Sequence, residues 1–143
     1  FFGILMYIAD KNKLLKKIDT DFNIKSALII GIFQILALIP GVSRAGITIT
    51  AGRILGFDRT SSAKISFYLS IPALIGASTL GVKDLFKEST EFNILAVVGV
   101  FFSFLFSFIT IKFFLKYIKN FSLNIFVIYR MLLAIILFYI IYF

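Results

Sequence analysis

The chain has 143 residues, of which 60% are hydrophobic and only 15% charged, with a net charge of +8 and a mean hydropathy of +1.02. Soluble domains sit nearer half apolar; here the charges fall between several long apolar runs, which excludes an ordinary soluble core and fits an all-α polytopic membrane protein. There is no cysteine and no histidine, so disulfides, thiolate chemistry and imidazole bases or ligands are excluded. The basic residues flank apolar segments and form no basic face with interleaved aromatics. The expected partner is therefore the membrane, not nucleic acid.

In chain order, residues 1–9 are apolar up to Asp10. At about 1.5 Å per residue they cover roughly half of a ~30 Å hydrocarbon core, which predicts the end of a truncated helix and a chain that is a fragment. A lysine-rich polar stretch follows over 10–25. Residues 26–56 hold two short apolar pieces separated by Pro40 and Gly41. Apolar pieces of about 10–14 residues are too short to cross, so this region is predicted to be a re-entrant hairpin. After a polar stretch at 56–64, spans are predicted at 65–81 (with a kink allowed by Pro72), 93–111 and 121–143, joined by charged loops at 82–92 and 112–120.

The charges discriminate between two placements of 26–56. If the segment returns to its own side, eleven of the 15 lysines and arginines lie on one side, Lys83 and Lys87 on the other, and Arg44 and Arg130 inside. If it crosses fully, the bias vanishes. Cytoplasmic loops normally carry the lysine and arginine excess, so the re-entrant placement is preferred, with 10–25, 56–64 and 112–120 cytoplasmic. Non-helical backbone at membrane depth is tolerated only where it is buried in protein or lines a polar cavity, so the turn at 40–46 must line something polar.

That turn reads Pro-Gly-Val-Ser-Arg-Ala-Gly. Pro40 ends the incoming half-helix, and Gly41 and Gly46 allow close backbone approach. Ser43 offers a hydroxyl and Arg44 a planar fork of donors suited to phosphate oxygens. The next half-helix points its free N–H groups and positive dipole end into the turn, and Thr48 in its first turn is expected to add a donor. All seven acids lie in polar stretches, so the partner of Arg44 is expected to be a ligand or a carboxylate beyond these residues. The bland alternative is a simple turn between helices. Other positions stay open. Gln34 faces the cavity or bonds a neighbouring helix. Ser62, Ser66 and Ser70 share a face that packs or lines the cavity. Gly52 and Gly56 form a small-residue packing pair. Arg130, inside the last apolar run, snorkels or holds a carboxylate or lipid head group.

The run Gln34-Ile-Leu-Ala-Leu-Ile-Pro-Gly-Val-Ser-Arg-Ala-Gly-Ile-Thr, then Gly56-Phe-Asp-Arg59, Phe67-Tyr-Leu-Ser-Ile-Pro72 and Tyr129-Arg130, resembles the C-terminal half of the bacterial undecaprenyl-diphosphate phosphatases of bacitracin-resistance type. Ala45 stands where that family's signature commonly has a second serine, so position 45 offers only its backbone. The resemblance implies half of an inverted-repeat fold in the bacterial inner membrane, multi-pass, with two re-entrant loops meeting at mid-membrane. It implies hydrolysis of a prenyl diphosphate lipid, undecaprenyl diphosphate, to the monophosphate and phosphate, recycling the carrier of cell-wall precursors. Ser43 and Arg44 would be the catalytic residues here, and Gly41, Ala45, Gly46, Thr48 and Gln34 would meet the substrate. The family's glutamate-rich and histidine-bearing loop is not in this sequence. Any magnesium or calcium would therefore be held by carboxylates of a missing N-terminal half, none by this chain alone, and the fragment by itself would be inactive. A homodimer is a further partner left open, and the alternative function is half of an anion or lipid transporter with a broken-helix site.

Overall fold

The computed structural model describes residues 2–11, 15–87 and 94–142. Among the described residues seven α-helices run in order: α1 (Phe2–Asp10), α2 (Ile18–Asp21), α3 (Ile24–Ile35), α4 (Arg44–Ile54), α5 (Arg59–Lys87), α6 (Ile94–Asn120) and α7 (Asn124–Tyr142). Among the described residues the one β element is an isolated bridge between Lys16 and Phe57. The fold is all-α. Among the described residues three helices are long and apolar enough to cross a membrane, over Arg59–Gly81, Val97–Asn120 and Asn124–Ile141.

Local chemistry sets the helix ends. Asn23 caps α3 by accepting from the Ser26 N–H at 2.9 Å, and the helix tightens into a single 3-10 turn at Leu36–Leu38. Ile39 is extended (φ −73°, ψ 126°), the conformation that a following proline imposes. Gly41 has φ +85° and turns the chain where a side chain would be strained. Ser43 then opens α4. At the other end Gly56 takes φ +98°, Phe57 N–H bonds Gly52 O at 3.0 Å and Gly56 N–H bonds Arg53 O at 3.1 Å. This pair of bonds is a Schellman stop. Lys16 Nζ adds a bond to Leu55 O at 3.1 Å, and Asp58 caps α5 through the Ser61 N–H at 2.6 Å.

The ends of α3 and α4 therefore come home together. Lys16 N–H bonds Gly56 O at 3.2 Å and Asp58 N–H bonds Lys16 O at 2.9 Å; Ile18 N–H bonds Ser61 Oγ at 3.1 Å. The stretch before α3 thus lies against the stretch after α4, at one end of the bundle. A buried acid consolidates that end. Asp10 receives Arg59 Nε at 2.8 Å and Nη2 at 2.9 Å, pairs with Arg53 Nε at 3.2 Å and accepts the Leu123 N–H at 3.1 Å. Arg53 also bonds Phe57 O at 3.0 Å, and Arg59 reaches Phe121 O at 3.3 Å. Four chain segments are pinned around one carboxylate.

The core is small and sits beside this end. Met6, Ile49, Ala63, Ile118, Leu123 and Val127 form one buried cluster, with Phe67, Phe114 and Phe126 packed on it. Ile30, Ala51, Phe57 and Ile65 form a second. Close approach of α4 to α5 requires Gly52: a Cβ there would lie 2.9 Å from Ser62 Oγ and 3.3 Å from Ser62 Cα. The outer faces of α5, α6 and α7 are exposed and apolar, as with Phe104, Phe108 and Ile136, as a lipid-facing surface requires.

Helix lengths depart from the sequence-based expectation. α5 begins at Arg59, not 65, and continues through Pro72 to Lys87; residues 88–92 of the expected 82–92 loop, and residue 93 of the expected 93–111 span, lie outside the described residues. The expected loop at 112–120 is the end of α6. Lysines do not end a helix; they propagate it well and lift their ammonium groups to water. Counting apolar runs therefore underestimates helix length wherever a span ends in basic residues.

Candidate functional site

The tip of the α3–α4 pair presents the seven-residue loop. Ser43 is the N-cap of α4, and its Oγ accepts the Gly46 N–H at 3.1 Å. That bond satisfies one of the orphan donors of the helix start and leaves others directed at the turn. Arg44 opens the helix and is half-buried; among the described residues no ion pair or hydrogen bond engages its guanidinium. At about 1.5 Å per residue, the eleven residues of α4 set the loop roughly 16 Å from the pinned end, about half of a ~30 Å hydrocarbon core.

Arg130 converges on the same loop from α7. Its Nη2 donates to Gly41 O at 3.4 Å, and its Nη1 lies 3.1 Å from where a Cβ on Gly46 would stand. Gly46 is therefore needed for space: an added Cβ would also meet Ser43 Cβ at 3.2 Å and Oγ at 3.3 Å. Sequence reasoning left Arg130 between snorkelling and holding an anion. Its approach to the loop could not be read from the sequence, since residues 89 positions apart meet only through packing. The signal that was legible was an arginine inside an apolar run.

Two further expected residues are placed away from the turn's open side. Thr48 is 1% exposed. Its hydroxyl bonds Arg44 O at 2.9 Å and shares a 2.7 Å hydrogen bond with Ser66 Oγ on α5. This hydroxyl steadies the first turn of α4 against α5, with Ser66 as partner, and so Ser66 acts through packing on the loop. Gln34 lies half-buried on α3 and is not in the wall of the cavity beneath the loop. Ala45 and Gly46, with Ser43, do line it.

That cavity has a volume of about 310 Å³. Ser43, Gly46 and Arg130 form its polar end, and Met6, Ile49, Phe67, Phe114 and Phe126 its apolar walls. Thr110, Phe114 and Phe126 are shared with a larger groove of about 720 Å³ between α6 and α7, lined also by Tyr117 and Tyr129. A slot of apolar side chains thus leads from the outer surface to Arg130 and the Ser43-capped start of α4. The cavity wall contains no carboxylate, and no group of three or more metal-ligating side chains occurs among the described residues. Guanidinium, hydroxyl and backbone N–H donors fit an anion and do not fit a divalent cation.

Fold and loop together define a class: a multi-pass α-helical membrane protein whose paired short helices present an anion-fitted turn at the head of an apolar groove. Within that class, residues 1–136 match the family described as bacitracin resistance protein BacA, and the chain belongs to that family. It is similar to proteins named undecaprenyl-diphosphatase. One from Pelagibacter ubique (strain HTCC1062) is 60% identical over 141 residues, 99% of this chain and 55% of that protein. One from Elusimicrobium minutum (strain Pei191) is 44% identical over 95% of this chain and 51% of its own. One from Aliivibrio salmonicida (strain LFI1238) is 44% identical over 93% and 50%. The chain spans about half the length of the curated relatives it matches.

Proposed function

We propose that this chain supplies the diphosphate-binding half of an undecaprenyl-diphosphatase of the bacterial inner membrane. The observation that carries the reading is the meeting of Arg130 and the Ser43-capped start of α4, which Arg44 opens, with an apolar cavity. A prenyl diphosphate has this polarity: a charged head and an apolar tail. The names and extent of the similar proteins support hydrolysis over transport. In this reading α3 and α4 form a re-entrant hairpin entering from the cytoplasmic side, as the lysine and arginine bias suggests.

The chemistry is cleavage of a phosphoric anhydride. Attack on the terminal phosphorus breaks the bridging P–O bond and releases phosphate and the lipid monophosphate. Arg44, Arg130 and the helix N–H groups would hold the non-bridging oxygens and offset charge that builds on the leaving oxygen. Ser43 orients the turn through its bond to Gly46 N–H. The described residues bring no general base to the loop. The group that activates the attacking oxygen, and carboxylates for any magnesium or calcium ion, would come from outside these 143 residues, so no step is assigned to a metal. By this reasoning the chain alone binds weakly and releases no phosphate.

The test is phosphate release from a prenyl diphosphate by the full-length protein. Arg44→Ala should lower turnover by at least about 100-fold, the scale of losing one transition-state donor, with thermal stability unchanged. Wild-type turnover in Arg44→Ala would sink the site assignment. A wild-type protein that moves the lipid without releasing phosphate would favour the transporter.

A further inference from the structure

We propose a second phosphate site, at the pinned end of the bundle, that takes the phosphate of an anionic membrane lipid. A cavity of about 670 Å³ opens there between α2, the start of α5 and the end of α6. Six cations and three carboxylates line it. Two of the acids are committed: Asp10 to Arg53 and Arg59, and Asp58 to the Ser61 N–H that starts α5. Asp19 is the remaining acid. Against it stand Lys17, Lys64 and Lys119, whose ammonium groups make no ion pair among the described residues. Like charges gathered around a cavity repel, and a phosphate anion relieves that repulsion.

The level of the cavity selects a lipid over free phosphate. Lys64 lies five residues into the apolar stretch Arg59–Gly81, and Lys119 one residue before the end of Val97–Asn120. Both therefore sit within about 8 Å of a span's end, the depth of the headgroups. Leu15, Ile18 and Ile118 also line the cavity and give it an apolar side that suits a glycerol backbone and acyl chains. Basic pockets between helices at this level recognise anionic head groups. The site lies at the opposite end of α4 from the Ser43 turn, so it is separate from the anhydride chemistry and does not rest on that reading.

The test compares retained lipid on the full-length protein by native mass spectrometry, after reconstitution with phosphatidylglycerol or phosphatidylcholine. Phosphatidylglycerol should be retained preferentially. The double variant Lys64→Gln/Lys119→Gln should lose that retention by at least about tenfold, the scale of removing two ammonium groups beside an anionic headgroup. Lys116→Gln, an exposed lysine on α6 outside the cavity wall, should not. Equal retention of the two lipids, or wild-type retention by the double variant, overturns the proposal. In a third arm, inorganic phosphate alone is titrated against the protein. Saturable binding that the double variant abolishes, with no lipid preference, also overturns the lipid assignment.

Discussion

Replacing Asp10 tests how the bundle holds its loop in place. The carboxylate is 1% exposed and serves Arg53, whose side chain is 3% exposed, and Arg59, which is 31% exposed. In Asp10→Ala the two arginines do not suffer equally. Arg59 can swing to water, and its pairing is worth at most about 1 kcal/mol on exposed-pair experience. Arg53 cannot, and stays in the interior without its carboxylate, a loss that typically costs about 3–5 kcal/mol. The Leu123 N–H loses its acceptor as well, adding about 1 kcal/mol. At roughly 2–4 °C per kcal/mol for a chain of this size, Asp10→Ala should melt at least about 10 °C below wild type, followed by circular dichroism in detergent. Asp10→Asn, which keeps an acceptor, should fall between, and Arg59→Ala should cost the least. A melting point for Asp10→Ala within about 2 °C of wild type, the range of an ordinary surface substitution, or a costlier Arg59→Ala, would refute the assignment of Asp10 as the shared buried partner.

Other substitutions separate stability from binding. Gly46→Ala should leave the melting point unchanged or slightly raised, since alanine favours a helix by about 1 kcal/mol. By displacing Arg130 and Ser43 it should cut phosphate release by about 100-fold; full activity would show that their positions do not matter. Ser43→Asp keeps an N-cap but sets a negative charge in the turn. Normal melting with lost activity is expected, and unchanged activity would argue against an anion there. Gly52→Ala drives a methyl into Ser62 and should destabilise by about 1–3 kcal/mol. Adding Ser62→Gly should recover most of that loss in a thermal double-mutant cycle, and a purely additive cycle would contradict the close packing of α4 on α5.

Much of this architecture is legible in the residues. Pro40, Gly41 and Ser43 announce the end of one helix and the start of another, because a fixed φ, a left-handed turn and a cap are local demands. The apolar stretches likewise mark α5, α6 and α7, though the lysine-bearing ends of α5 and α6 read as loops. What one chain read residue by residue cannot disclose is convergence. Asp10 appears as one acid in a polar stretch, Arg53 and Arg59 as topology signals, and Thr48 as a donor to the turn. Packing turns the first three into one network and directs Thr48 to Ser66. The same holds for Arg130, whose role follows from the path of α7 alone.

The carboxylate of Asp10 also sets an order of events. Its bond to the Leu123 N–H joins positions 113 apart in the chain, and its bonds to Arg59 join positions 49 apart. Helices form from local contacts within microseconds, but contacts this distant must wait for the intervening chain to be made and to find its place. The Asp10 carboxylate therefore stays without its full set of final neighbours until the turn before α7 has been synthesised. Completion of the pinned end is thus tied to the turn before α7, and a ribosome that stops short of Leu123 leaves these helices with their common knot untied.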